Sequence, residues 1–138
     1  MNRTDLQKLS NIRIMEARAL LQAGHSSGAY YLAGYGVECA LKACIARQTR
    51  RHDFPNLRLV RRSYTHDLEE LLRVTGLEAE FEQGMQADRK LRLNRSVVKD
   101  WNETARYESQ INMFMATHFV MACTGRPNGV LPWIRKRW

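Results

Sequence analysis

The sequence predicts an all-α fold, an up-and-down antiparallel bundle of four to five helices. Three observations support this prediction. Apolar residues recur every three or four positions along most of the chain, no stretch alternates apolar and polar residues as a strand would, and only three prolines and eight glycines interrupt 138 residues. The composition, 44% hydrophobic and 26% charged, is that of one ordinary globular domain with one core.

The first half of the chain predicts two long helices. The first runs from about Thr4 to Gln22, and Gly24 marks its end because glycine readily adopts the left-handed conformation that follows a helix. Its apolar face is formed by Leu6, Leu9, Ile12, Met15 and Ala19. The second predicted helix runs from about Ser27 to Arg50 and is apolar at most positions, which indicates that it is largely buried.

Two stripes of side chains distinguish this second helix. Small residues spaced four, three, four and three apart form a surface that another helix can approach closely: Ala29, Ala33, Gly36, Ala40 and Ala43. A second stripe consists of Tyr31, Tyr35, Glu38 and Lys42. Glu38 precedes Lys42 by four residues, the favourable order for an ion pair on a helix. In a mostly buried helix such a pair needs good partners, so we expect it either to clamp a neighbouring helix or subunit or to contact a ligand.

The second half of the chain predicts shorter helices after an irregular, arginine-rich segment from Arg47 to Arg62. These helices span Asp67 to about Val74, Glu78 to about Lys99, and about Glu108 to Cys123. The longest of the three has acidic first turns and basic last turns, as the helix dipole favours. Residues 1–124 should form the bundle, and residues 125–138 a basic, aromatic tail that either docks or stays loose.

The charge of the chain indicates the class of partner. The net charge is +8, and 17 of the 22 basic residues are arginine, whose guanidinium suits bidentate phosphate contacts. We therefore expect RNA or a nucleotide as partner, although a basic surface also serves solubility or an acidic protein. No apolar run is long enough for a membrane span, and the first residues lack a secretory signal, which predicts a cytoplasmic protein.

The cysteines and histidines give no sign of a metal site. Cys39, Cys44 and Cys123 form no CxxC pair, and no histidine lies at metal-ligand spacing beside them. Cys39 and Cys44 lie in an apolar helical pattern, where cysteine behaves as a small hydrophobic residue. We expect no metal and no cofactor.

Three short motifs occur in order along the chain. They are AGYGVECALKA at 33–43, His66-Asp67-Leu68 followed by Leu71-Leu72, and WNETARY at 101–107. Together they resemble the HEPN family, named for nucleotide binding in higher eukaryotes and prokaryotes, over roughly residues 10 to 124. The resemblance implies a helical bundle, commonly a symmetric homodimer, that acts on RNA or nucleotides. It also implies a place in toxin–antitoxin or defence systems, often beside a small nucleotidyltransferase.

The resemblance also indicates where this chain departs from the family. Many members are metal-independent ribonucleases that use an arginine and a histidine separated by four to six intervening residues. The matching stretch here has Asn94 and Lys99 at those positions. Lysine is charged at neutral pH and is a poor base unless burial lowers its pKa. We therefore expect a divergent member, non-catalytic or weakly active, that binds RNA or a nucleotide in a cleft between subunits.

The expected contacts come from several predicted elements. They are Arg95, Lys99, Arg106 and Tyr107, with Tyr35, Glu38 and Lys42 shaping the wall of the cleft. Arg106 and Tyr107 suit phosphate binding and base stacking, but Arg106 could equally pair with Glu38 inside the fold.

Two other functions remain open at the level of sequence. An arginine separated from a following histidine by four to six intervening residues occurs at Arg18–His25, Arg47–His52 and Arg61–His66, little more often than chance predicts. His66 is the best catalytic candidate for a ribonuclease with a displaced site, using an arginine from the preceding loop. Alternatively, His66 has a structural role: it orients that loop or forms a hydrogen bond to the second helix. The third hypothesis is a protein-interaction module that pairs with a small nucleotidyltransferase.

Overall fold

The computed structural model describes residues 1–49, 53–54 and 56–138, and these residues form helices without any strand. The described residues form eight α-helices: α1 (Arg3–Gln22), α2 (Ser26–Gln48), α3 (Leu57–Ser63), α4 (Leu68–Val74), α5 (Glu78–Ala87), α6 (Arg89–Val98), α7 (Met113–Thr124) and α8 (Val130–Arg135). A 3₁₀-helix spans Glu103–Tyr107 between α6 and α7. The all-α prediction is confirmed, whereas the predicted number of four to five helices is wrong. None of the described helices combines the length and apolarity needed to cross a membrane.

Short polar residues that cap helices explain most of the difference in helix number. Asn56 accepts a hydrogen bond from the Leu59 N–H at 3.1 Å and starts α3 inside the segment predicted to be irregular. Asp88 has extended backbone angles and accepts from the Leu91 N–H at 3.1 Å, so the helix predicted over 78–99 divides into α5 and α6. Such caps satisfy backbone donors at the first turn of a helix and interrupt it without disturbing the apolar period.

Two predicted helix boundaries also move. Helix α2 ends at Gln48 rather than Arg50; Arg50, Arg51, His52 and Pro55 lie outside the described residues, and so does the Arg47–His52 spacing. Helix α7 begins at Met113, five residues later than predicted. Asn112 caps it by accepting from the Met115 N–H at 2.8 Å.

Helix α2 is the centre of the core, and α1 packs closely along it. The alanines of the predicted small-residue stripe have no exposed surface. At Gly36, the Ser10 hydroxyl donates to the backbone carbonyl at 2.7 Å, and an added Cβ would lie 2.8 Å from Ile14 Cδ1. The small-residue stripe therefore allows close packing of α1 on α2, as predicted, because small side chains let the two backbones approach.

The segment 125–138 docks on the bundle. Val130, Leu131 and Ile134 are buried in the same core as the residues of α2 and α7. Trp133 meets Phe81 of α5 edge to face, with ring centroids 4.5 Å apart. These apolar contacts make α8 part of the domain core.

Trp101 joins the chain after α6 to the middle of α2. The indole is buried directly over Gly34, where an added Cβ would lie 2.2 Å from two of its ring atoms. Tyr31 stacks on the same indole with centroids 6.0 Å apart, and Tyr35 stacks on Tyr31 at 6.3 Å. This aromatic column fixes the segment that leads into the 3₁₀-helix.

We predict that Gly34→Ala lowers the free energy of unfolding by about 1–3 kcal/mol, because the new methyl group must displace a buried indole. Gly28→Ala is the matched control in the same helix, since its Cβ would meet only the flexible end of Leu20 at 3.1 Å. The control should be neutral or stabilised by up to about 1 kcal/mol through helix propensity. Urea denaturation measures both variants, and equal stability of the two would contradict the packing of Trp101 on Gly34.

Candidate functional site

A buried carboxylate organises the polar stripe of α2. Glu38 has only 1% of its surface exposed, and its Oε1 accepts from the Lys42 ammonium at 2.8 Å. The His66 Nδ1 lies 3.0 Å from each of the two carboxylate oxygens. Sequence analysis proposed both an ion pair between Glu38 and Lys42 and a bond from His66 to the second helix, and both are present. The alternative pairing of Glu38 with Arg106 is wrong.

This arrangement fixes the orientation of the imidazole. A carboxylate paired with an ammonium only accepts hydrogen bonds, so Nδ1 of His66 carries the hydrogen. The side chain of His66 is 51% exposed, and in the neutral imidazole Nε2, on the other side of the ring from Nδ1, carries the lone pair. Lys42 is partly exposed and keeps two further N–H donors. One buried acid thus positions an acceptor and a donor at the surface.

Lys42 also lines an open groove formed by α1, α2 and α3. The groove has a volume of about 390 Å³, which is on the scale of small-ligand pockets. Its residues are Met1, Leu6, Lys42, Ile45, Ala46, Thr49, Leu59, Val60, Ser63 and Tyr64. The lining is mostly apolar, and Tyr64 is 85% exposed at its edge. We call this surface the α2–α3 groove.

Helix α3 adds positive charge beside this groove. Arg58 and Arg61 are exposed, and no carboxylate of the described chain lies within 4.0 Å of either side chain. Arg62 differs, because it pairs with Glu70 of α4 at 2.7 Å and so ties α3 to α4. The pKa of Glu70 is lowered by the hydrogen bond from Arg62 and by the neighbouring Arg73. Two arginines of α3 therefore remain available for an anionic ligand.

The other predicted contacts lie away from the α2–α3 groove. Arg95 donates to Glu69 of α4 at 2.8 Å, with its guanidinium 5.8 Å from the centre of the Phe81 ring. Lys99 is exposed in a cleft with four acidic side chains: Asp67, Glu69, Asp100 and Glu103. The groove at the end of α6, expected to be cationic, therefore has one lysine against four acids, an arrangement that disfavours a phosphate.

Arg106 and Tyr107 form a separate exposed pair on the 3₁₀-helix. The Arg106 guanidinium lies 4.9 Å from the centre of the Tyr107 ring, and Tyr107 is 77% exposed. Tyr35 is half-buried, and the Arg13 guanidinium lies 5.8 Å from its ring centre. The structure thus brings Tyr35, Glu38, Lys42 and His66 to one face of the fold. It does not bring Arg95, Lys99, Arg106 and Tyr107 together with them.

Thiol and metal chemistry find no support among the described residues. All three cysteines are free and buried. Burial raises the pKa of the Cys39 thiol to about 11, with a further contribution from the charge of Glu38, and burial raises the pKa of Cys44 to about 11. At neutral pH these thiols are protonated and are poor nucleophiles. In the described part of the chain, no three His, Cys, Asp or Glu side chains converge in a way that could hold a metal ion.

Sequence reasoning missed the α2–α3 groove and its two available arginines. The signal that could have found them is Asn56, a cap residue followed by the amphipathic pattern of Leu57–Ser63. Helix α3 places Leu59 and Val60 in the groove and Arg58 and Arg61 in solvent.

The three motifs singled out in the sequence meet in space. The first motif contributes Gly34 under Trp101 of the third motif, and Glu38 to His66 of the second. Comparison with known proteins finds no matching family model, no similar curated protein and no similar solved structure. The contacts among the motifs are therefore the basis for any functional proposal.

We predict that Lys42→Met lowers the free energy of unfolding by about 3 kcal/mol, because it leaves a buried carboxylate with only half-exposed His66 as its side-chain partner. The double variant Glu38→Gln/Lys42→Met should recover most of this loss, since it removes both charges. Denaturant unfolding at pH 7 measures both.

Lys90→Met on α6 is the control for this prediction, because Lys90 is exposed and makes no ion pair within the described ranges. It should change the stability by less than about 0.5 kcal/mol. Identical unfolding midpoints for Lys42→Met and Lys90→Met would show that Lys42 does not hold the buried charge.

Proposed function

We propose that this protein is a HEPN-like protein that binds RNA or a nucleotide through the face formed by Lys42, His66 and helix α3. The observation that carries the proposal is the buried carboxylate of Glu38. It fixes an ammonium and an imidazole at the surface, beside a groove and two available arginines. Cationic donors around an apolar groove suit a ligand that has both phosphate groups and bases.

The convergence of the three motifs supports the family part of this proposal. Residues spread over about half of the chain are in contact in pairs, Gly34 with Trp101 and Glu38 with His66. Arg106 and Tyr107 remain candidates for a second contact, because an exposed guanidinium next to an exposed phenol suits a stacked base. A place in toxin–antitoxin or defence systems stays part of the proposal.

Binding of a single-stranded RNA oligonucleotide, followed by fluorescence anisotropy over a range of salt concentrations, tests this function. We predict that affinity falls steeply with salt, and that Arg58→Gln/Arg61→Gln reduces the slope of log K against log salt by about 1.4, or 0.7 per lost phosphate contact. Arg89→Gln/Arg92→Gln removes the same charge from exposed positions on α6 and is the matched control.

The two variants separate the possible outcomes. Equal loss of affinity in both would indicate unspecific attraction to a basic protein and would contradict the proposed face. Affinity that hardly changes with salt would exclude phosphate contacts. If neither an oligonucleotide nor a nucleotide binds, an interaction module that pairs with a nucleotidyltransferase becomes the better account.

A ribonuclease is the second candidate, and the contact between Glu38 and His66 favours it. A carboxylate that orients an imidazole through Nδ1 leaves Nε2 able to take a proton from the ribose 2′-hydroxyl. Arg61, five residues before His66, could stabilise the charge that develops on the phosphate. This chemistry needs no metal.

We predict that, if the protein is a nuclease, it cleaves RNA in the presence of a chelator and His66→Gln slows cleavage about 10²- to 10⁴-fold. His118→Gln is the control, because His118 is exposed on α7 and stacks only on Phe114 within the described structure. Gel analysis of labelled RNA measures the rates. Cleavage at the wild-type rate by the His66 variant would remove this candidate.

A homodimer also stays a proposal. Helices α1 and α7 pack against each other, and both carry exposed apolar side chains: Ile12, Met15, Met113, Phe114, Met115 and Met121. Because the chain carries a net charge of +8, two copies are expected to associate through apolar side chains such as these. Sedimentation velocity at several protein concentrations tests whether the protein is a homodimer. A monomer at all concentrations would refute the proposed homodimer.

A further inference from the structure

Four basic side chains from three segments gather around a second surface pocket, which shares no lining residue with the α2–α3 groove. They are Arg18 of α1, Arg126 after α7, Arg135 of α8 and the adjoining Lys136, which we call the C-terminal arginine cluster. Arg126, Arg135 and Lys136 line a surface pocket together with Pro127 and Pro132. Proline has no backbone N–H, so the donors here come largely from the cationic side chains.

The charge of the cluster is not neutralised within the fold. No carboxylate of the described residues lies within 4.0 Å of any of its four members, whereas Arg13, Arg62, Arg73, Arg95 and Arg137 each form an ion pair. Burial and the positive charges of Arg126 and Arg18 lower the pKa of Arg135, and no acidic group offsets them. Like charges held together without counter-charge destabilise a folded protein unless an anion binds.

Arg135 is also short of hydrogen-bond partners. Its Nη2 donates to the Asn11 side-chain oxygen at 3.0 Å, and its guanidinium lies 5.6 Å from the Trp138 ring centre. Its Nε–H is buried and has no acceptor among the described residues. Buried donors are nearly always paired in folded proteins, so this Nε–H is an exception within the described chain. Nη1 has no hydrogen bond to the described residues either, so the guanidinium keeps donors for a ligand in the adjoining pocket.

We propose that the C-terminal arginine cluster binds a phosphate group, supplied either as inorganic phosphate or as the phosphate of a nucleotide. A phosphate dianion has enough charge and oxygen atoms to accept from several guanidiniums at once, and guanidinium pairs with it in a bidentate manner. This site is separate from the α2–α3 groove and does not depend on the function proposed for that groove.

Thermal unfolding with inorganic phosphate, with adenosine 5′-monophosphate and with chloride at equal ionic strength tests the site. A ligand that binds only the folded protein raises its melting temperature. We expect both phosphate compounds to raise it more than chloride does. The tighter of the two, measured by isothermal titration calorimetry, identifies the source of the phosphate.

Variants separate this site from general salt effects and from the α2–α3 groove. Arg126→Gln/Lys136→Gln changes two exposed residues and should weaken phosphate binding about tenfold or more. Arg89→Gln/Arg92→Gln removes equal charge elsewhere, and Arg58→Gln/Arg61→Gln alters the groove; both should bind phosphate like the wild type. Equal phosphate affinity of the Arg126/Lys136 variant and the wild type, or no stabilisation beyond that by chloride, would overturn the proposal.

Discussion

The fold and its proposed site both depend on burying one carboxylate in the central helix. Glu38 lies among the small and apolar residues of α2, where an unpaired charge would be strongly unfavourable. Its bonds to Lys42 and to His66 stabilise the buried charge, and the bond to His66 connects α2 to the segment before α4. The same contacts orient the two polar groups that a ligand would meet. The stability of the fold and the proposed function therefore depend on the same contacts.

The aromatic column next to Glu38 extends this constraint along the helix. Trp101 needs the bare backbone of Gly34 beneath it, and Tyr31 covers the other part of the indole. The residues after α6 are fixed in this way beside Gly34, while His66 is fixed about one helical turn further along, at Glu38. A helix with small residues on one side and a polar, aromatic stripe on the other thus organises α1, α4 and the 3₁₀-helix around itself.

The positive charge of the chain is divided into groups with different roles. Arg62 and Arg95 join α4 to α3 and α6 through carboxylates and are largely structural. Arg58 and Arg61 remain exposed beside the α2–α3 groove, and Arg126 and Arg135 belong to the C-terminal arginine cluster. Net charge alone could indicate an anionic partner. It could not indicate the position of the binding site, because the pairing of each arginine depends on acids distant in sequence.

The helical class, the close packing along α2 and the Glu38–Lys42 pair were predictable, since each follows from spacing within one helix. The break at Asp88 was missed because a cap acts through a single hydrogen bond and leaves the apolar period intact. The cationic groove expected at Arg95 and Lys99 was misplaced because Glu69 reaches Arg95 from 26 residues away. Local patterns carry no information about such contacts, which arise only when helices pack.

The tautomer of His66, measured by ¹⁵N NMR of the imidazole above its titration range, tests the central claim most directly. The account predicts hydrogen on Nδ1 and a bare Nε2 in the wild type, because Glu38 accepts from Nδ1. It also predicts that Glu38→Leu, which removes the acceptor, abolishes this preference. Hydrogen on Nε2 in the wild-type protein, unchanged in the variant, would contradict the claim that the buried carboxylate positions this histidine.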